Sequence, residues 1–198
     1  LGANLLSIFV PSYFLTVTKK AYFKYLHFSN FIVLPLLFLL IAVAEPLVRV
    51  VLTDKWLPAV PYIILFSLNF TLYPWLDQSV QLLNVLGQTG INLKTQILKR
   101  IVSFGILVVT IPFGIKIICL GILINTVIEL IITLFTDKHV FGIGVVQQVK
   151  SQLNLYFICI LSSIGGYIVT LQFENIYVQL AMGGAGVYIL LYNIIILI

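Results

Sequence analysis

Apolar residues run through this chain in long stretches separated by short polar connections. Six such stretches cover residues 28–52, 57–85, 97–111, 115–135, 153–171 and 176–198. Most approach the roughly 20 residues that a helix needs to cross a hydrocarbon core. Runs such as 31–44 show none of the apolar–polar alternation of a transmembrane β-strand. Backbone polar groups in lipid must be satisfied within the segment, so the pattern predicts helices: an all-α, polytopic membrane helix bundle with about six crossings.

The connections divide the chain further. Residues 1–10 read as the end of a preceding transmembrane helix, closed by Pro11, so that the sequence forms one lobe of a longer protein. Residues 11–27 then form a cytoplasmic connection, 28–135 hold four spans, 136–152 form a second cytoplasmic connection with the character of an interfacial amphipathic segment, and 153–198 hold two further spans. The third stretch is short, and the Lys99–Arg100 pair near its start is expected at the interface or snorkelling to it. Pro35, Pro46, Pro61, Pro74 and Pro112 lie in or beside spans and predict kinks.

Composition agrees with lipid as the solvent. Of 198 residues, 61% are hydrophobic and 9% charged, with a mean hydropathy of +1.16. A soluble domain carries about 25% charged residues. The formal charge of +5 suits a membrane rather than nucleic acid because of where the charges lie. Eight Lys/Arg (Lys19, Lys20, Lys24, Lys94, Lys99, Arg100, Lys138 and Lys150) fall on one set of alternate connections, against Lys55 and Lys116 on the other. By the positive-inside rule the first set faces the cytoplasm.

Ionisable residues within spans are costly and usually face a bundle interior or a water-filled cavity. Glu45 and Arg49, four residues apart, share a helix face and are expected to form a local ion pair near the outer interface, with a charged cavity lining as the rival reading. Asp77, Gln81 and Asn84 form a polar stripe that either lines a cavity or hydrogen-bonds another helix. Glu129, four residues after Asn125, is either a coupling-ion carboxylate or a packing group. His27 and His139 read as solvated interfacial residues, and Cys119 and Cys159 as small buried hydrophobes. The glycines at 165–166 and at 183, 184 and 186 would let the last two spans approach closely. No catalytic, cofactor or metal motif is present, so no enzyme activity is expected.

Several short motifs occur in order. Ala44-Glu45-Pro46-Leu47 is followed by Thr53-Asp54-Lys55-Trp56-Leu57-Pro58-Ala59, then by Leu72-Tyr73-Pro74, Asn84-Val85-Leu86-Gly87-Gln88, Leu93-Lys94, Leu98-Lys99-Arg100 and Ile111-Pro112-Phe113-Gly114-Ile115. This set resembles the polysaccharide-transporter family of Wzx-type flippases, in the superfamily that also holds the MATE exporters. The resemblance covers residues 11–135; Thr53 stands where the family has glycine, and Asp77 is a departure. It implies the second bundle of a MATE-like transporter plus two C-terminal helices, in a bacterial inner membrane. It further implies flipping of a lipid-linked oligosaccharide by alternating access. Its partners would be the bilayer, that substrate, an N-terminal bundle of the same protein and the polymerase or glycosyltransferases of the pathway. Asp77, Gln81, Asn84, Arg49 and Glu45 are then the cavity candidates and Glu129 the coupling-ion candidate, with a cation-coupled drug exporter as the alternative.

Overall fold

The computed structural model describes the backbone of residues 2–172, 175–181 and 183–185, with side chains from Val17 onward. Its long elements are α1 (Gly2–Ala42), α2 (Ala44–Leu52), α3 (Val60–Phe70), α4 (Tyr73–Val85), α5 (Thr89–Thr110), α6 (Ile115–Phe141) and α7 (Val145–Thr170). Short 3-10 turns at Asp54–Ala59 and Ile111–Phe113 complete the turns opposite the Lys-rich end. Among the described residues, five segments are long and apolar enough to cross a membrane: Val17–Ala42, Asp54–Val85, Thr89–Phe113, Ile115–Phe141 and Val145–Thr170. Residues 176–181 and 183–185 are also helical, and the remainder of the sixth expected span lies outside the described residues.

Three boundaries differ from the sequence reading. Helix α1 runs through Pro11, so the expected connection at 11–27 is helical. A proline removes one backbone donor, but it need not end a helix whose freed carbonyl finds another partner. Helix α5 begins at Thr89 and carries Lys94, Lys99 and Arg100 within it. The connection expected at 136–152 shrinks to three residues between α6 and α7, where Gly142 takes the left-handed conformation (φ 64°) and its N–H bonds Lys138 O at 3.0 Å.

Two of the expected spans are broken. Helix α1 stops at Ala42, and α2 restarts one residue later with Pro46 in its first turn. The second span consists of α3 and α4, interrupted at Thr71–Leu72 just before Pro74. The break is repaired from a neighbour, since Tyr156 on α7 donates its hydroxyl to Thr71 O at 2.6 Å. Freed carbonyls at depth are tolerated when side chains satisfy them in this way.

The helices that build the core present stripes in which polar and apolar residues alternate along one face. On α1 the buried positions recur every fourth residue: Tyr22, Leu26, Asn30, Leu34, Phe38 and Ala42. On α7 they fall at three-and-four spacing through Gln148, Gln152, Leu155, Cys159, Ser162, Gly166 and Thr170. These two stripes pack against each other, and α3 and α4 cover α1 from another side. Asn30 Nδ2 donates to Gln152 Oε1 at 3.1 Å, and Ser163 Oγ to Phe38 O at 3.0 Å. Outward positions such as Phe28, Leu36, Phe157 and Ile164 stay exposed, as suits a lipid-facing surface. The expected close approach of the C-terminal glycines is present at one pair: a Cβ built at Gly183 would lie 2.5 Å from Thr170 Cγ2 and 3.7 Å from Gly166 O. Gly186 falls outside the described residues.

Candidate functional site

A cavity of about 400 Å³ lies between α4, α5 and α6. Helix α4 contributes Tyr73 and Asp77, α5 contributes Gln96, Lys99, Arg100 and Ser103, and α6 contributes Asn125 and Glu129. Leu76, Ile106, Leu107 and Ile122 form its apolar wall. The spacing on α5 explains why its polar residues converge: positions 96, 99, 100 and 103 lie on one helical face. Two cations, two carboxylates and several amide and hydroxyl groups thus meet within helices that are otherwise apolar.

Lys99 is the most enclosed of these residues, with only 3% of its surface exposed. The carboxylates of Glu129, Asp137 and Asp77 lie within its electrostatic reach, yet among the described residues it forms no ion pair. Glu129 is steadied within its own helix, where Asn125 Nδ2 donates to its Oε1 at 2.9 Å. Asn125 Oδ1 remains buried without a partner. The hydroxyl protons of the nearby threonines are committed within α6: Thr126, which lines the cavity, and Thr133 donate to the Ile122 and Glu129 carbonyls. Asp77 also borders a second, largely apolar groove of about 290 Å³ lined by Val33, Leu37, Phe70, Tyr73 and Pro74.

The expected site residues separate into groups. Asp77 and Glu129 share the cavity. Gln81 and Asn84 are exposed and lie outside its lining; Asn84 Oδ1 instead accepts from Asn92 Nδ2 at 2.9 Å across the α4–α5 turn. Glu45 and Arg49 pair with each other at 2.8 Å, with Asp54 3.9 Å from Arg49, and they too lie outside the cavity lining. Lys99 and Arg100, expected at the interface or snorkelling to it, both line the cavity, Lys99 buried and Arg100 exposed. Removing them from the charge comparison leaves six Lys/Arg against two, with the same bias.

The fold also assembles a second constellation from residues far apart in the sequence. Asp137, near the end of α6, is fully buried. It accepts a 2.6 Å hydrogen bond on Oδ2 from Ser79 Oγ of α4. Tyr22 of α1 stands 3.5 Å from Ser79 and donates to Gln148 Oε1 of α7 at 3.1 Å. Four helices are therefore tied together on the Lys-rich side of the bundle, within a core that includes Leu26, Trp75, Leu82, Leu134, Phe141 and Ile143. Among the described residues no cluster of His, Cys, Asp and Glu suits a metal ion.

These features define a multi-pass helical membrane protein with a charged cavity inside its bundle. Residues 16–61 match the family model described as "Polysaccharide biosynthesis protein", a segment that runs from α1 through α2 to the start of α3. The match is confined to that segment of the chain. Among curated proteins and among solved structures, nothing matches the chain.

Proposed function

We propose that this chain is the second bundle of a carrier that flips lipid-linked oligosaccharide across a bacterial inner membrane. The observation that carries the reading is the charged cavity between α4, α5 and α6. Lys99 and Arg100 supply donors for an anionic group, while Asp77, Glu129, Gln96 and Ser103 supply acceptors and donors for sugar hydroxyls. The apolar groove on the other side of Asp77 gives a lipid tail an adjacent path outside the cavity. The family match at 16–61 supports the same biosynthetic setting. A Wzx-type mechanism would rock this bundle against an N-terminal bundle of the same protein, presenting the cavity to each leaflet in turn. The chain performs no covalent chemistry in this scheme, and the pathway's polymerase or glycosyltransferases act before and after it.

Deleting the gene tests the proposal. Lipid-linked oligosaccharide should accumulate on the inner leaflet while surface polysaccharide falls. The presence of Asp77 and Glu129 in the same cavity favours a second reading, a cation-coupled drug exporter. Normal surface polysaccharide with raised drug susceptibility in the deletion strain would replace the first reading with the second.

A further inference from the structure

Asp137 has no role in the cavity, yet it is the most completely enclosed carboxyl group among the described residues. It is 0% exposed, and helices α1, α4 and α7 bring Tyr22, Ser79 and Gln148 around it. The available donors are already committed. The Ser79 hydroxyl proton goes to Asp137 Oδ2, the Tyr22 proton to Gln148 Oε1, and Gln148 Nε2 points to Ile143 O at 3.4 Å. Asp137 Oδ1 is buried with no partner.

The surrounding charges do not neutralise it. Helix α1 offers the phenol of Tyr22, and α5 offers Lys99 within electrostatic reach but unpaired. Helix α4 presents the neutral Ser79 and α7 the neutral Gln148. On α6 itself, Lys138 and His139 are exposed and Glu129 lies two turns away in the cavity. Lys19 of α1 approaches the α6–α7 turn, with its Nζ 3.9 Å from the place of a Cβ on Gly142. An ionised carboxylate enclosed here with one short hydrogen bond, from Ser79, and only the neutral Tyr22 phenol beside it is costly, whereas a carboxyl with a proton on the free oxygen carries no charge.

We infer that Asp137 is a proton-binding site whose occupancy holds α1, α4, α6 and α7 together on the Lys-rich side of the bundle. A proton taken from water at that end sits on Oδ1 while Ser79 continues to donate to Oδ2. Loss of the proton to the same water leaves a charge that must be hydrated, and hydration requires the four helices to part around it. Proton release and opening toward the Lys-rich side are then one event. The inference does not depend on what the cavity carries, because proton binding is read on the protein itself.

Infrared difference spectroscopy on the full protein in lipid, titrated with acid and base, tests it. The expected result is a carboxylic-acid band that disappears as pH rises, is missing in Asp137→Asn, and persists in Asp77→Asn and Glu129→Gln. Ser79→Ala keeps the carboxyl but removes its donor, so the midpoint should move even if Asp137→Asn folds poorly. Opening is followed by thiol labelling at Ile143→Cys, a buried position, against Val146→Cys, an exposed one, with Cys119 and Cys159 replaced by Ser. Labelling at position 143 relative to 146 should rise severalfold with pH in the parent and stay flat in Asp137→Asn. A titrating band unchanged in both Asp137→Asn and Ser79→Ala, or the same pH-dependent rise in labelling without the Asp137 carboxyl, would overturn the inference.

Discussion

Ser79 Oγ and Asp137 Oδ2 lie 2.6 Å apart, joining α4 to α6 across 58 residues of sequence at the end where the basic residues gather. Both partners are buried, so the bond is a cross-brace between helices rather than a surface contact. Interhelical hydrogen bonds in membranes contribute modestly, about 0.6 kcal/mol on average, because partners exist in the unfolded-in-membrane state too. A hydrogen bond between neutral groups contributes about 0.5–1.5 kcal/mol net. Ser79→Ala should therefore lower stability by about 1 kcal/mol, read as reduced thermal stability in detergent. A loss no larger than that of an exposed change such as Gln147→Ala would show the brace to be idle.

Thr53 adopts φ 76° and ψ 166°, a region that a β-branched residue enters only under strain. Gly114, at the other turn on the same side of the bundle, takes nearly the same conformation (φ 86°, ψ 172°) without a Cβ to oppose it. Thr53→Gly should consequently stabilise the protein by about 1 kcal/mol, the relieved strain exceeding the entropy that glycine adds to the unfolded chain. Thermal unfolding of the purified variant checks this, and a lowered midpoint would refute it.

Arg49 and Glu45 form their 2.8 Å pair while remaining 36% and 50% exposed at the side chain. An i, i+4 pair this accessible is worth less than about 1 kcal/mol. The double substitution Glu45→Gln/Arg49→Gln should leave both export and stability close to the parent. A loss of export beyond that seen for Lys116→Gln would return the pair to the cavity list.

Much of this was legible in the residue pattern, for identifiable physical reasons. Long apolar stretches marked the spans because lipid exposure imposes no periodicity on them. The Glu45–Arg49 pair and the Asn125–Glu129 contact follow from the geometry of a single helix, which needs no tertiary information. Asp77 was visible as a carboxylate inside a span. Asp137 was not, because Lys138 and His139 follow it and the trio looks like a solvated connection. Its burial comes from Tyr22, Ser79 and Gln148, which lie elsewhere in the chain. Lys99 escaped for a similar reason: only the packing of α4 and α6 against α5 turns an apparent interfacial lysine into a cavity wall. Gln81 and Asn84 mislead in the opposite sense, since they share a face with Asp77 but lie beyond the cavity lining.

Ser103 lies on the cavity wall facing α6, whereas Phe104 beside it is 68% exposed toward the outside of the bundle. In a background lacking Cys119 and Cys159, Ser103→Cys should react with a small water-soluble thiol reagent at least several times faster than Phe104→Cys, because thiolate chemistry needs water. Equal rates would mean that the cavity is dry or that α5 is rotated.

The central claim is that the cavity between α4, α5 and α6 is where the carried molecule is held. Its most direct test is complementation of a deletion strain with Lys99→Gln, scoring surface polysaccharide and inner-leaflet lipid-linked oligosaccharide at matched protein levels. Loss of a buried charge-assisted contact should cut export by about tenfold or more, with precursor accumulating inside, while Lys94→Gln on an exposed part of the same helix restores export fully. Full export by Lys99→Gln, and by Lys99→Gln combined with Asp77→Asn and Glu129→Gln, would contradict the account.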